Sequence, residues 1–75
     1  MLFVAGKKEL QVYSSDGNMI TLDPVINHTQ EITLVEVLTD NLIITHGNDL
    51  ELKVWFVKDQ KSTLLAHTKL QSNYI

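Results

Sequence analysis

The chain contains no cysteine and no arginine, and it has one proline, three glycines and one tryptophan in 75 residues. Without cysteine there is neither a disulfide staple nor a thiolate metal site. The same absence fits a reducing compartment. Without arginine, six lysines stand against nine acidic residues, a formal net charge of −3. Phosphate binding wants clustered lysine and arginine, so this balance argues against a nucleic-acid surface. The one adjacent basic pair, Lys7-Lys8, is followed at once by Glu9. Long apolar runs are missing too. None approaches the roughly 20 residues of a membrane-spanning helix, so no transmembrane segment is expected. The start, MLFVAGKKEL, has no basic region ahead of its short apolar run. That predicts no secretory signal and an intracellular, cytoplasmic protein.

What is present is an ordinary globular composition, 44% hydrophobic. Seventy-five residues allow one small domain at most. A core of that size rarely supplies more than about 3–5 kcal/mol of net stability without a staple. The most informative stretch is Asn41 to Val57, NLIITHGNDLELKVWFV. Two runs rich in β-branched and aromatic residues, Leu42–Thr45 and Leu52–Val57, flank the turn formers Gly47-Asn48-Asp49. This is a β-hairpin signal. Lys53, between Leu52 and Val54, is expected to turn outward by alternation.

The rest of the chain reads the same way. Leu2–Ala5 is a short apolar run, and Leu10–Tyr13 alternates apolar with polar. Ser14 to Asn18 is a turn cluster centred on Asp16-Gly17. Met19–Leu22 resumes a strand and Asp23-Pro24 ends it. Val25 to Gln30 is a connection. Ile32–Leu38 fits helix or strand by period alone, and its β-branched content favours strand. Thr39-Asp40-Asn41 and Lys58–Ser62 are turns. Thr63–Leu70 is a last strand with Leu64, Ala66, Thr68 and Leu70 on one face. Ser72 to Ile75 is a loose end. The sequence therefore predicts an all-β antiparallel meander of about seven strands.

The chain also repeats itself. Leu10-Gln11-Val12-Tyr13 matches Leu52-Lys53-Val54-Trp55 at an offset of 42 residues, and the same offset lays Thr21-Leu22 on Thr63-Leu64. With a one-residue shift, Leu2 to Gly6 falls on the segment that ends at Gly47. A period of about 40–45 residues with four strands per unit is the signature of a propeller blade. On these residues the chain resembles a WD-repeat β-propeller, most closely over His28 to Val57. The resemblance implies nearly two blades within a partial propeller covering residues 1–75, a partial one over 2–22 and a fuller one over 31–70. It implies a hydrogen-bonded structural tetrad of His28, Thr45, Asp49 and Trp55. An Asp in a tight turn can accept from backbone N–H groups and a His ring, and a buried indole N–H needs an acceptor. The chain departs from the pattern at Asn27, where the family has Gly, and at Phe56, where it has Asp. In the first unit Tyr13 stands in the place of Trp.

A narrower resemblance rests on Leu42, Gly47, Asp49, Leu52 to Trp55, Lys58, Leu64-Leu65, Lys69 and Gln71. These residues look like the N-terminal propeller of the class C vacuolar protein sorting (HOPS/CORVET) subunit eleven family. That resemblance implies a subunit of a vesicle-tethering complex, peripheral to endosome and vacuole or lysosome membranes.

Catalytic chemistry has little to stand on. His28, His46 and His67 are widely spaced and lack a Cys or an H-x-x-x-H partner, so no metal site is expected. Ser14, Ser15 and Ser62 lie in turns without a nucleophile-elbow context. The carboxylates Glu31 and Glu36, or Asp49 and Glu51, would need a pocket to do acid–base work. Gly6, Gly17 and Gly47 are isolated and build no phosphate loop. The expectation is a non-enzymatic protein–protein interaction scaffold without cofactor, whose partners are other proteins or further blades. The turns at Asp16–Asn18, Val25–Gln30 and Lys58–Ser62 are its exposed surfaces. Two blades leave both ends open, which predicts a fragment, a truncated product or an oligomer that closes a ring. The alternative is a self-contained small β-barrel or sandwich, in which Leu2–Ala5 would pair with Thr63–Leu70.

Overall fold

In the computed structural model, residues 1–70 are described; the expected loose end from Ser72 to Ile75, and Gln71, lie outside them. Every regular element is a strand: β1 (Leu2–Val4), β2 (Gln11–Tyr13), β3 (Met19–Ile20), β4 (Ile32–Val37), β5 (Leu42–Gly47), β6 (Glu51–Lys58) and β7 (Lys61–Lys69). They form two antiparallel meanders, a first sheet β1-β2-β3 and a second sheet β4-β5-β6-β7. β1 pairs with β2, with Leu2 opposite Tyr13 and Phe3 opposite Val12. β7 pairs with β6.

The two sheets share one core because strand alternation gives each an apolar face. Val12 and its cross-strand neighbours Phe3 and Ile20 turn toward the second sheet. The second sheet answers with Ile32, Ile43, Trp55 and Val57. Leu10, Leu22 and Ile26 fill the space between. The connection 25–30 is thus not simply an exposed loop. Ile26 is fully buried and His28 nearly so, while Asn27 and Thr29 point outward. Backbone bonds enforce this alternation: Leu10 N–H donates to the Ile26 carbonyl (2.8 Å) and His28 N–H to the Lys8 carbonyl (2.9 Å).

Five local expectations need correction. Gly47 is the last residue of β5, opposite Ile32, so the turn from β5 to β6 is Asn48-Asp49-Leu50. Lys53 shares a face with Trp55, two residues on, and so lies on the core side of β6 rather than the outer one. It stays solvated by reaching the rim, where its Nζ donates to the Asn27 carbonyl (2.9 Å) and lies 5.9 Å from the centre of the Trp55 ring. A bulge at β7 sets Leu64 opposite Trp55 and Ala66 opposite Val54. These two residues therefore lie on opposite faces, and the single apolar face expected for this strand is broken.

Finally, the third strands of the two sheets correspond not at an offset of 42 but through Met19 and Leu64, which face Tyr13 and Trp55 respectively. The cause is strand length, which outweighs the shorter turn: β6 runs on past Trp55 to Lys58 and β7 starts at Lys61, whereas β2 ends at Tyr13 and β3 starts at Met19. β2 and β3 are joined by Ser14 to Asn18, whereas β6 and β7 are joined by Asp59 and Gln60 alone, both at positive φ. Two positive φ values in a two-residue loop are the geometry that matches the twist of a hairpin. Ser62, expected to be an exposed turn residue, is buried and donates its hydroxyl to the carbonyl of Pro24, which follows a cis peptide bond.

Candidate functional site: a buried His–Thr–Trp–Asp hydrogen-bond chain

Two strands, the turn between them and the connection before β4 converge on one polar cluster inside an otherwise apolar core. β5 supplies Thr45, which is fully buried, and β6 supplies Trp55. The turn between them supplies Asp49. The connection places His28 over the turn by its backbone bond to Lys8. The four residues singled out from the sequence thus meet in space.

Their hydrogen bonds run in series. The Trp55 indole N–H donates to Thr45 Oγ1 (3.0 Å). The Thr45 hydroxyl lies 2.7 Å from His28 Nε2. His28 Nδ1 lies 3.1 and 3.2 Å from the two carboxylate oxygens of Asp49. A carboxylate only accepts, so Nδ1 carries a proton and donates to Asp49; in the neutral ring Nε2 then accepts from the threonine hydroxyl. Each donor then has one acceptor. No buried side-chain nitrogen or oxygen among the described residues lacks a partner.

Asp49 is the anchor. Besides His28 it accepts from the backbone N–H of Glu51 (3.0 Å) and from both the N–H and the hydroxyl of Thr29 (2.9 and 3.1 Å). Burial pushes its pKa up, but the Glu51 N–H, the His28 ring and the two Thr29 donors outweigh it. The carboxyl is held well below the usual carboxylate range. A lowered folded-state pKa contributes stability that is present above the unfolded value, about 3.9, and is lost as pH falls toward the folded value. Wild type should therefore lose stability steeply below about pH 4 relative to Asp49→Asn, which has no such proton to take up. Urea midpoints for both proteins measured from neutral to acidic pH check this. A gap between them that stays constant with pH would contradict it.

His28, Asp49 and Glu51 also place one potential ligand atom each within 4.8 Å of one another. His28 Nδ1 is already engaged by Asp49, the Asp49 carboxylate is held by Thr29 and the Glu51 N–H, and the Glu51 carboxylate lies 3.6 Å from Lys53 Nζ. A cation there would have to break bonds that fix the turn. His46, on the opposite face of β5, lies 3.6 Å from Glu36 and is separate from this cluster. His67 sits on β7 opposite Lys53. The three histidines are not brought together.

One member of the site escaped the sequence reading. Gly47 packs so tightly under the His28–Asp49 pair that a methyl group at its Cα would stand 2.6 Å from both Asp49 Oδ1 and His28 Nδ1. Its isolation in the sequence suggested only a turn, and the signal that could have found it is its position two residues before Asp49. Among the described residues no helix is long and apolar enough to cross a membrane. Comparison with family models, with curated proteins and with solved structures gives no match.

Proposed function

We propose that this chain is a non-enzymatic protein–protein interaction scaffold built from two successive blades of a WD-like propeller. The observation that carries this is the bonded series from Trp55 through Thr45 and His28 to Asp49. Each reactive group in it is consumed by a neighbour, which suits a structural clamp and leaves no free nucleophile or base. The pairing of β1 with β2 and of β7 with β6 supports stacked meanders over a barrel closed between the first and last strands. On this reading, function lies in the turns that the stacked sheets display. Those joining β2 to β3 and β6 to β7 occupy corresponding places and are exposed at Asp16 to Asn18 and Lys58 to Lys61.

The narrower proposal is a part in a vesicle-tethering assembly at the periphery of endosomes and vacuoles or lysosomes. Its support is the set of matched residues from Leu42 to Gln71 named above. Biolayer interferometry of the purified chain against a purified class C vacuolar sorting complex tests it. Saturable binding in the roughly micromolar range is expected, weakened about tenfold by the charge reversals Asp59→Lys and Lys61→Glu. No binding at about 100 µM retires the tethering role.

A further inference from the structure

Both sheets present a second apolar face that no other part of the described chain covers. On the first sheet, Leu2, Tyr13 and Met19 are cross-strand neighbours pointing away from the core, and Leu2 and Met19 are 62% and 63% exposed. On the second sheet, Ile44, Val54 and Ala66 are aligned across β5, β6 and β7 on the face opposite Trp55, continued by Leu34 and Phe56 at 46% and 38% exposure.

The register says what each face fits. Leu2 opposite Tyr13 in the first sheet corresponds to Ile43 opposite Trp55 in the second. Phe3 opposite Val12 corresponds to Ile44 opposite Val54. Within the chain, the Phe3/Val12 face of the first sheet is packed on the Ile43/Trp55 face of the second. The open face of the second sheet is therefore of the Phe3/Val12 kind. The open face of the first sheet is of the Ile43/Trp55 kind. They are the two complementary halves of a contact the molecule already makes once.

We propose that the open face of the second sheet docks on the open face of the first sheet of another copy of this chain, repeating the internal sheet–sheet contact head to tail. The proposal rests on the stacked-blade reading above, and it adds which faces meet and in what sense. A heterologous contact of this kind builds a ring if the rotation closes and a filament if it does not. It also removes apolar surface that a lone copy leaves in water.

The two faces can be blocked separately. Val54→Lys charges the centre of the second-sheet face, with Phe56→Lys at its exposed rim as the substitute should Val54→Lys lose the native circular dichroism. Met19→Lys charges the first-sheet face at an exposed position. Sedimentation velocity of the full chain at roughly 1–100 µM should show wild type associating. Each variant alone should sediment as a monomer, with association weakened at least tenfold. An equimolar mixture of the two should restore a 1:1 dimer that grows no further, because each variant keeps one good face.

Wild type that stays monomeric, a variant that still self-associates, or a mixture that fails to pair overturns the head-to-tail contact. The Trp55 indole N–H proton resonance, recorded on the same samples, keeps the readings apart. If it is retained at its hydrogen-bonded position, the contact has failed and the blade has not. Its collapse to the free indole position in wild type counts against the blade itself, and against the contact that depends on it.

Discussion

Trp55→Ala is expected to abolish the cooperative unfolding transition of this chain. Trp55 is 4% exposed and lies opposite Ile43 on β5 and Leu64 on β7, so truncation opens a cavity in the middle of the contact between the sheets. Removing a buried Trp side chain costs about 3–5 kcal/mol. A core in a chain this short rarely supplies more than that in total. The loss therefore leaves nothing with which to hold the two meanders together. The substitution also removes the donor to Thr45 Oγ1, which sits at 0% exposure with His28 as its one remaining partner. Trp55→Phe separates the two effects. It keeps most of the apolar volume and loses the N–H, and it should cost less than Trp55→Ala while still melting cooperatively. Circular dichroism in urea reads both. A wild-type melt for Trp55→Ala would show that the indole is not a core group.

How much of this was legible beforehand follows from what sequence patterns encode. Period-two alternation and turn chemistry report local structure, and they placed every strand from β1 to β7 to within a few residues. Thr45, Asp49 and Trp55 lie in one hairpin, so their mutual reach follows from its register. His28 lies outside it, and only the resemblance to a repeat family tied it to them. Local patterns were silent on features set by tertiary contacts. Ile26 looked like a loop residue because nothing in 25–30 alternates clearly. It is buried because the backbone of 8–10 pairs with that segment. Lys53 looked solvent-facing because alternation was counted from Leu52 and Val54 as the inward pair, yet the parity of Trp55 determines its face. The bulge at β7 could not be read from either strand alone, since it is a break in their mutual register, between Val54 and Trp55 on β6.

The same limit explains why the open faces were foreseen only in outline. Sequence repeats show that two units are alike, and likeness predicts that their faces are alike. Which face is covered depends on the direction of stacking, and that direction is visible only once Val12 and Trp55 are seen to point at each other. Leu52 and Val54, identical in pattern to the buried Leu10 and Val12, are half-exposed for this reason alone.

Gly47→Ala is expected to be the most disruptive single-methyl change in the chain. The glycine is buried, and the added Cβ would meet Asp49 Oδ1 and His28 Nδ1 at 2.6 Å and His28 Cγ at 2.9 Å. None of these can retreat freely. Thr29 and the Glu51 N–H hold the carboxylate from one side, and Thr45 holds the ring from the other. Forcing a methyl group into such a site costs about 1–3 kcal/mol. Displacing Asp49 from buried donors costs a further 1–3 kcal/mol or so. Gly17→Ala is the natural control. Nothing lies within 4 Å of the Cβ it would add, and its φ of +89° makes the penalty one of backbone strain, about 1–2 kcal/mol, remote from the cluster. Urea unfolding should rank Gly47→Ala below Gly17→Ala, and only Gly47→Ala should shift the Trp55 indole resonance. A double-mutant cycle makes the contact itself testable. Asp49→Ala removes one of the atoms the methyl group would strike, so Gly47→Ala should cost less in that background than in wild type. Strict additivity of the two substitutions would mean that Gly47 and Asp49 do not touch.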